Sequence, residues 1–260
     1  MPHLIVNGCN IHYQATGDGP ALLFIHGLGS CLLDWDQQIA AFSRTHRVVA
    51  ADLRGHGESE RPSGPYSIKQ FADDQHALLR HLGISSADVI GVSLGGAVAF
   101  QMALDAPALV RKLVIVNSYP EFMLRSWAQK AFIWQRKMMI KLLSFQTMGK
   151  MVAKKMFPGQ EKVQATFVER YVRNDRQPYL ASLGCLFGWS VMDRLEEFRC
   201  PVLAIAAEHD YAPTSTKEEY VRKLSRARLV EIPDSRHAVP MERPEAFNRA
   251  LKEFLSEPIA

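Results

Sequence analysis

VIGVSLGGAVAF, Val89 to Phe100, decides how this chain is read. A run of apolar β-formers ends at Gly91, and a good helix sequence starts directly after Gly96. One serine, Ser93, stands in the turn, inside Gly-x-Ser-x-Gly with Gly91 and Gly95. Such a strand–turn–helix holds its serine in a strained backbone conformation and raises Oγ clear at the top of a sheet. Flanking glycines remove the Cβ atoms that would collide, and the next helix points its N-terminus at whatever the serine attacks. The letters alone are weak, because a Gly-rich turn with an N-capping serine reads the same way. Position between a buried strand and a helix is what carries the meaning.

Outward from this turn, strand-like runs alternate with helical patterns. The runs are LIV and IHYQAT near the start, then ALLFI (21–25), RVVAA (47–51), ADVIG (87–91), KLVIVN (112–117), PVLAIAA (201–207) and RLVEI (228–232). The inner ones are nearly continuous Val, Ile, Leu and Ala, as parallel strands buried on both faces require. Between them, IKQFADDQHALLRHLG carries apolar residues at helical spacing and stops at Gly83, and PEAFNRALKEFL opens with a helix-starting Pro. This alternation predicts an α/β fold, an open and mostly parallel sheet with helices on both faces. The first two strands read as an antiparallel hairpin at its edge.

Residues 119–195 break the pattern. They hold no convincing strand but several amphipathic helices, with LRSWAQKAFIWQRKMMIKLL (124–143) the clearest. The expected division is a core of 1–118 and 196–260 with a helical cap, 119–195, inserted over the C-terminal ends of the strands, where open α/β sheets bind ligands. From Glu121 to Pro178 the cap carries 12 Lys or Arg against 4 Asp or Glu, in a chain whose net charge is +4. The plain reading is a solvated basic face over an apolar packing face of Trp127, Phe132, Trp134, Met138, Met139 and Leu142, continued by Met148, Met151 and Met156. The sharper reading lets Trp134 and Met138 line an acyl pocket while the basic face meets anionic substrates or a lipid surface.

Composition sets the remaining bounds. At 47% hydrophobic and 22% charged, 260 residues make one large domain with a filled core. The net charge of +4 is too small to argue for nucleic acid. The start, MPHLIVNGCNIHYQ, has neither a basic n-region nor a long apolar h-region, and no apolar run approaches ~18 residues. Cys9, Cys31, Cys185 and Cys200 show no metal-ligand spacing and fit reduced thiols, so a cytoplasmic protein without metal or cofactor is expected.

A serine alcohol needs a base to take its proton, and the base needs an orienting carboxylate. PVLAIAAEHDYAP ends a buried strand with Glu208 and Asp210, and His237 lies on the loop after the last strand. Ser, Asp, His is the chain order that goes with this motif. Asp210 is favoured over Glu208, since a few residues of loop must follow the strand before a side chain can reach across. Early in the chain, ALLFIHGLGS turns at Gly27, so that the N–H groups of Leu28 and Leu94 can form an oxyanion hole. His26 is read as structural, buried under that loop.

HGLGS, DLRGHGES (52–59), GVSLGG, EHD and SRH, in this order and at these separations, resemble the α/β-hydrolase fold. The resemblance covers about residues 3–118 and 199–256. It implies an eight-stranded sheet, an inserted cap and a catalytic triad carried here onto Ser93, Asp210 and His237. Within the family the first half is similar to carboxylesterases, enol-lactonases and carbon–carbon-bond hydrolases. Members that attack with aspartate, the haloalkane dehalogenases and epoxide hydrolases, are disfavoured by the serine. DLRGHGES, despite Asp52, Arg54 and His56, is a scaffold signature in this resemblance and is assigned no chemistry. The leading expectation is a serine hydrolase of small carboxylic esters. Enol-lactone or carbon–carbon-bond hydrolysis by the same residues is the alternative, and a ligand receptor on the same fold stands further off.

Overall fold

The computed structural model of the chain describes residues 1–259. In chain order the first half runs β1 (His3–Val6), β2 (Cys9–Thr16), β3 (Ala21–Ile25), α1 (Asp36–Phe42), β4 (Arg47–Ala51), α2 (Ile68–His81), β5 (Ala87–Val92), α3 (Leu94–Asp105) and β6 (Val110–Val116). Four helices follow: α4 (Trp127–Leu142), α5 (Phe145–Met156), α6 (Glu161–Tyr171) and α7 (Arg176–Leu186). The chain ends with β7 (Val202–Ala207), α8 (Thr214–Val221), β8 (Ala227–Ile232), α9 (Val239–Glu242) and α10 (Pro244–Ser256).

All eight strands join one sheet in the order β1-β2-β4-β3-β5-β6-β7-β8. β1 and β2 pair antiparallel through the two-residue turn Asn7-Gly8, both at positive φ as a tight hairpin demands. β2 also runs antiparallel to β4, and every pair from β4 to β8 is parallel. Side chains alternate along each inner strand and fill two cores. On one face Leu23, Ile25, Val89 and Ile115 pack with Phe71 and Leu78 of α2 and Val98 of α3. On the other, Leu22, Phe24, Ile90, Val114 and Ile205 pack with Trp35, Ile39 of α1, and Phe247 and Leu251 of α10. Burial on both faces is why these strands read as unbroken apolar runs.

The segment between β6 and β7 is helical, and its base is zipped shut by the bridge Glu121–Ser190 and by hydrogen bonds between Phe122 and both Gly188 and Trp189. α4 starts at a capping box in which Ser126 and Gln129 satisfy each other's backbone N–H groups. Ile140, Met148, Met156, Phe157, Phe167 and Tyr171 form a third core belonging largely to α4–α7 themselves.

The apolar face expected of α4 is corrected here. Trp127 is 84% exposed, Trp134 66% and Leu142 73%, and Phe132 and Met151 also face solvent. Met138 and Met139 are half-buried, and the only fully buried residue of the helix is Ile140. α4 is apolar on more than one side, and the side turned inward is Ile133, Arg136 and Ile140, at i, i+3 and i+7. Pattern alone could not choose between the sides. Trp134 therefore lines no pocket.

Candidate active site

Ser93 joins β5 to α3 with φ 56° and ψ −115°, a strained conformation for a residue bearing a Cβ. Two close approaches make the turn possible. A Cβ on Gly91 would lie 2.1 Å from the carbonyl oxygen of Gly95, and one on Gly95 would lie 2.2 Å from that of Ile25. Neither site admits a side chain. The turn is held from the sheet side: Ser93 N–H donates to Val116 O at 3.0 Å, and Ser118 Oγ donates to Ser93 O at 2.7 Å. Among the described residues Ser93 Oγ has no hydrogen-bond partner. Catalytic serine–histidine bonds are commonly long until substrate arrives.

His237 Nδ1 lies 2.6 Å from Asp210 Oδ1, joining the loop after β8 to the loop after β7. Glu208 is directed elsewhere and accepts the backbone N–H of Asp234 at 2.8 Å. Asn117, at the end of β6 with φ 45°, ties these loops to the Ser93 turn. Its Nδ2 donates to His237 O at 2.9 Å, while its Oδ1 accepts Ala207 N–H at 2.9 Å. Ser93 and His237 are thereby fastened to neighbouring residues at one end of β6. The Tyr211 ring lies against the His237 ring, with centroids 4.6 Å apart.

Asp210 has a second partner. Lys217 Nζ donates to its Oδ2 at 2.7 Å, and both side chains are 3% exposed. Burial pushes the Asp210 carboxyl up, but the His237 hydrogen bond and charge, together with Lys217, outweigh it and hold the group below the usual carboxylate range. A carboxylate so held stays ionised and orients the imidazole through Nδ1.

The N–H groups of Leu28 and Leu94 carry no hydrogen bond among the described residues and belong to the two backbone turns beside Ser93. Gly27 packs directly on Ser93, where a Cβ at Gly27 would meet the serine Cβ at 3.4 Å. His26 is fully buried and takes backbone partners on both nitrogens: Nδ1 lies 2.8 Å from Gly27 O, and Nε2 accepts Leu53 N–H at 2.9 Å. Asp52 braces the same region, accepting Leu32 N–H at 2.7 Å and Glu58 N–H at 2.9 Å, with His12 Nδ1 at 2.7 Å. Arg54 closes a buried two-pronged pair with Asp74 at 2.6 and 2.7 Å. Asp52 and Arg54 are occupied by these internal contacts, and His56 lies with Nδ1 3.1 Å from Arg54 O while its buried Nε2 has no partner among the described residues.

The model of the α/β hydrolase fold family matches residues 20–244. This chain belongs to the α/β-hydrolase fold family. It is a hydrolase, and its sheet order and strand directions are those of an α/β hydrolase. It is 30% identical to 3-oxoadipate enol-lactonase 2 of Acinetobacter baylyi over 93% of this chain and 91% of that one. A putative carbamate hydrolase of Azorhizobium caulinodans is 28% identical over 99% of both chains. Among solved structures, the enol-lactonase from Burkholderia xenovorans superimposes with a TM-score of 0.90 at 26% identity, covering 98% of this chain and all of that one. Among the described residues no helix of the hydrolase is long and apolar enough to cross a membrane.

Three residues of the candidate site were not singled out from sequence: Lys217, Tyr211 and Asn117. Lys217 sits in TSTKEEY, which reads as a solvated helix, and no spacing rule joins it to Asp210. Tyr211 follows Asp210 directly and could have been weighed as its neighbour. Met138 is half-buried on α4 but has no contact that places it at the site.

Proposed function

We propose that this hydrolase cleaves carboxylic esters, cyclic enol esters included, through an acyl-enzyme on Ser93. The observation that carries the proposal is the 2.6 Å pairing of His237 Nδ1 with Asp210 Oδ1, fastened through Asn117 beside a serine held at positive φ. His237 Nε2 takes the Ser93 proton as Oγ attacks the carbonyl carbon, and the N–H groups of Leu28 and Leu94 receive the oxyanion. The imidazolium, stabilised by Asp210, then protonates the leaving alkoxide or enolate. Water activated by His237 releases the acid in a second, mirror-image step. In a lactone the leaving group stays tethered to the acyl chain, so the same residues open a ring. The enol-lactonase relatives favour that variant.

Residues 119–195 act in this reading as a cap. Their core packs on Leu28 beside Ser93 and on Ala238 and Met241 beyond His237, contacts that support a cap over the proposed site. The test is a panel of alkyl esters, thioesters and lactones of graded length, with Ser93→Ala as blank. Hydrolysis by wild type that vanishes in Ser93→Ala supports the reading, and substantial hydrolysis by purified Ser93→Ala defeats it.

A further inference from the structure

A helix on the surface of a globular protein hides its large apolar side chains, and α4 does the reverse. Trp127, Phe132, Trp134 and Leu142 are all exposed. At about 100° per residue these four fall on one arc of roughly 160°, turned away from the inward side of Ile133, Arg136 and Ile140. From Trp127 to Leu142 the arc runs about 22 Å along the helix axis. Single exposed apolar residues need no explanation, but four of the largest side chains on sixteen residues do. A contiguous face of this kind marks a surface that something else covers.

The charge beside the arc identifies what covers it. Lys130, Lys137 and Lys141 recur at i, i+7 and i+11, all exposed, and line the edge next to Trp134. Lys130 Nζ stands 4.9 Å over the Trp127 ring. From Phe122 to Gln160 the chain has eight Lys or Arg and no Asp or Glu, so nothing along α4 or α5 offsets this charge. α5 repeats the mixture, exposing Met151 with Lys150 and Lys154. Lysine stems lie along apolar surface while their ammonium groups reach for anions, and indole rings settle where an apolar layer meets a wet one. An apolar arc edged by ammonium groups matches an anionic bilayer surface, whose acyl chains take the arc and whose headgroup phosphates and carboxylates take the lysines.

We propose that α4 docks this protein on an anionic lipid bilayer, lying in the plane of the interface with Trp127, Phe132, Trp134 and Leu142 sunk among the upper acyl chains. The helix lies on the membrane rather than across it, because sixteen residues interrupted by lysines are too short and too charged to span one. A second copy of this chain fits the face less well. Pairing two such arcs sets lysine against lysine with no carboxylate between them. A rigid protein partner would need a groove shaped to side chains spread over nearly half a helix, whereas a deformable lipid surface takes them all at once. Docking requires no particular chemistry at Ser93, so it stands apart from the ester-hydrolase reading.

The test is co-sedimentation of the full chain with phosphatidylcholine vesicles containing about 30% phosphatidylserine, set against pure phosphatidylcholine vesicles. Wild type should bind the anionic vesicles roughly tenfold or more tightly than the neutral ones, and about 0.5 M salt should remove most of that difference. Tryptophan emission should shift to shorter wavelength as the exposed indoles leave water. Trp127→Ala with Trp134→Ala should weaken binding by roughly tenfold or more and remove the emission shift. Lys130→Gln with Lys137→Gln and Lys141→Gln should weaken binding to anionic vesicles by roughly 100-fold. Both variants replace exposed side chains, so their melting temperatures should match wild type. No binding to either vesicle, equal binding to both, or binding indifferent to the tryptophan pair overturns the proposal. Sedimentation without vesicles tests the other occupant. A concentration-dependent dimer that the tryptophan variant loses, together with no vesicle binding, would give the face to a second copy and overturn lipid docking.

Discussion

Lys217 Nζ and His237 Nδ1 share one carboxylate, 2.7 Å from Asp210 Oδ2 and 2.6 Å from Oδ1. A carboxylate already paired with a buried ammonium attracts an imidazolium less than a lone carboxylate would. Lys217→Met keeps the length of the side chain and removes its charge. The acid limb of the kcat/KM profile should then move to higher pH by roughly one unit, because the base is protonated more readily. The melting temperature should also fall, since Asp210 Oδ2 loses a buried partner. A pH–rate profile checks this, and an acid limb that stays in place would leave Lys217 with only a role in folding.

Ser93→Ala and His237→Ala should each lower kcat on a responsive ester by about 10⁴–10⁶-fold. Because the two side chains act as one unit, the double variant should lose little more than either single one. Ser93→Ala should also melt no lower than wild type, since alanine carries the same Cβ in the same strained turn. Steady-state kinetics and thermal melts on the three variants decide it, and additive losses would contradict a shared proton transfer.

Asp210→Asn should cost on the order of 10⁴ in kcat, because an amide can hold His237 in the wrong tautomer. Glu208→Gln should cost less than tenfold, since that carboxylate only receives Asp234 N–H at an exposed turn. Rates measured side by side distinguish the two acids, and the reverse order would reassign the partner of His237.

Acid should destabilise the fold in two stages. His56 is fully buried, and desolvation, with the charge of His26 adding to it, holds it at about 3. Between the ordinary histidine value near 6.5 and about 3, the unfolded chain binds a proton that the folded chain refuses. Stability therefore falls as pH falls, by at most about 1.4 kcal/mol per unit for one group. Asp210 and Asp52 are both held below the usual range: burial pushes each up, and hydrogen bonds to His237 or His12 outweigh it. Their contribution is present above the ordinary carboxylate value and is lost as pH falls through the folded one. Thermal melts from pH 8 to 3 should decline from about pH 6.5 and more steeply below about 4. His56→Gln should flatten the upper part, and a melting temperature constant from pH 7 to 5 would contradict a neutral His56.

By itself the sequence determined the strands, their alternation with helices and the turn that presents Ser93. Each of these is local: period, unbroken apolar runs and glycines at Gly91 and Gly95 act on residues adjacent in the chain. The helical character of α4 was equally legible, but not the side it turns inward, because Trp127 and Trp134 are as apolar as Ile133 and Ile140. Only packing within the core shared with α5–α7, Tyr179 included, chose the side of Ile133 and Ile140. Loop length in the sequence favoured Asp210 over Glu208 as the partner of His237, but the contact itself depends on how two segments 27 residues apart approach each other. Lys217 shows the same limit most plainly. A charged residue in a polar-looking helix acquires its meaning when distant segments bury it, and burial is a property of the assembled fold.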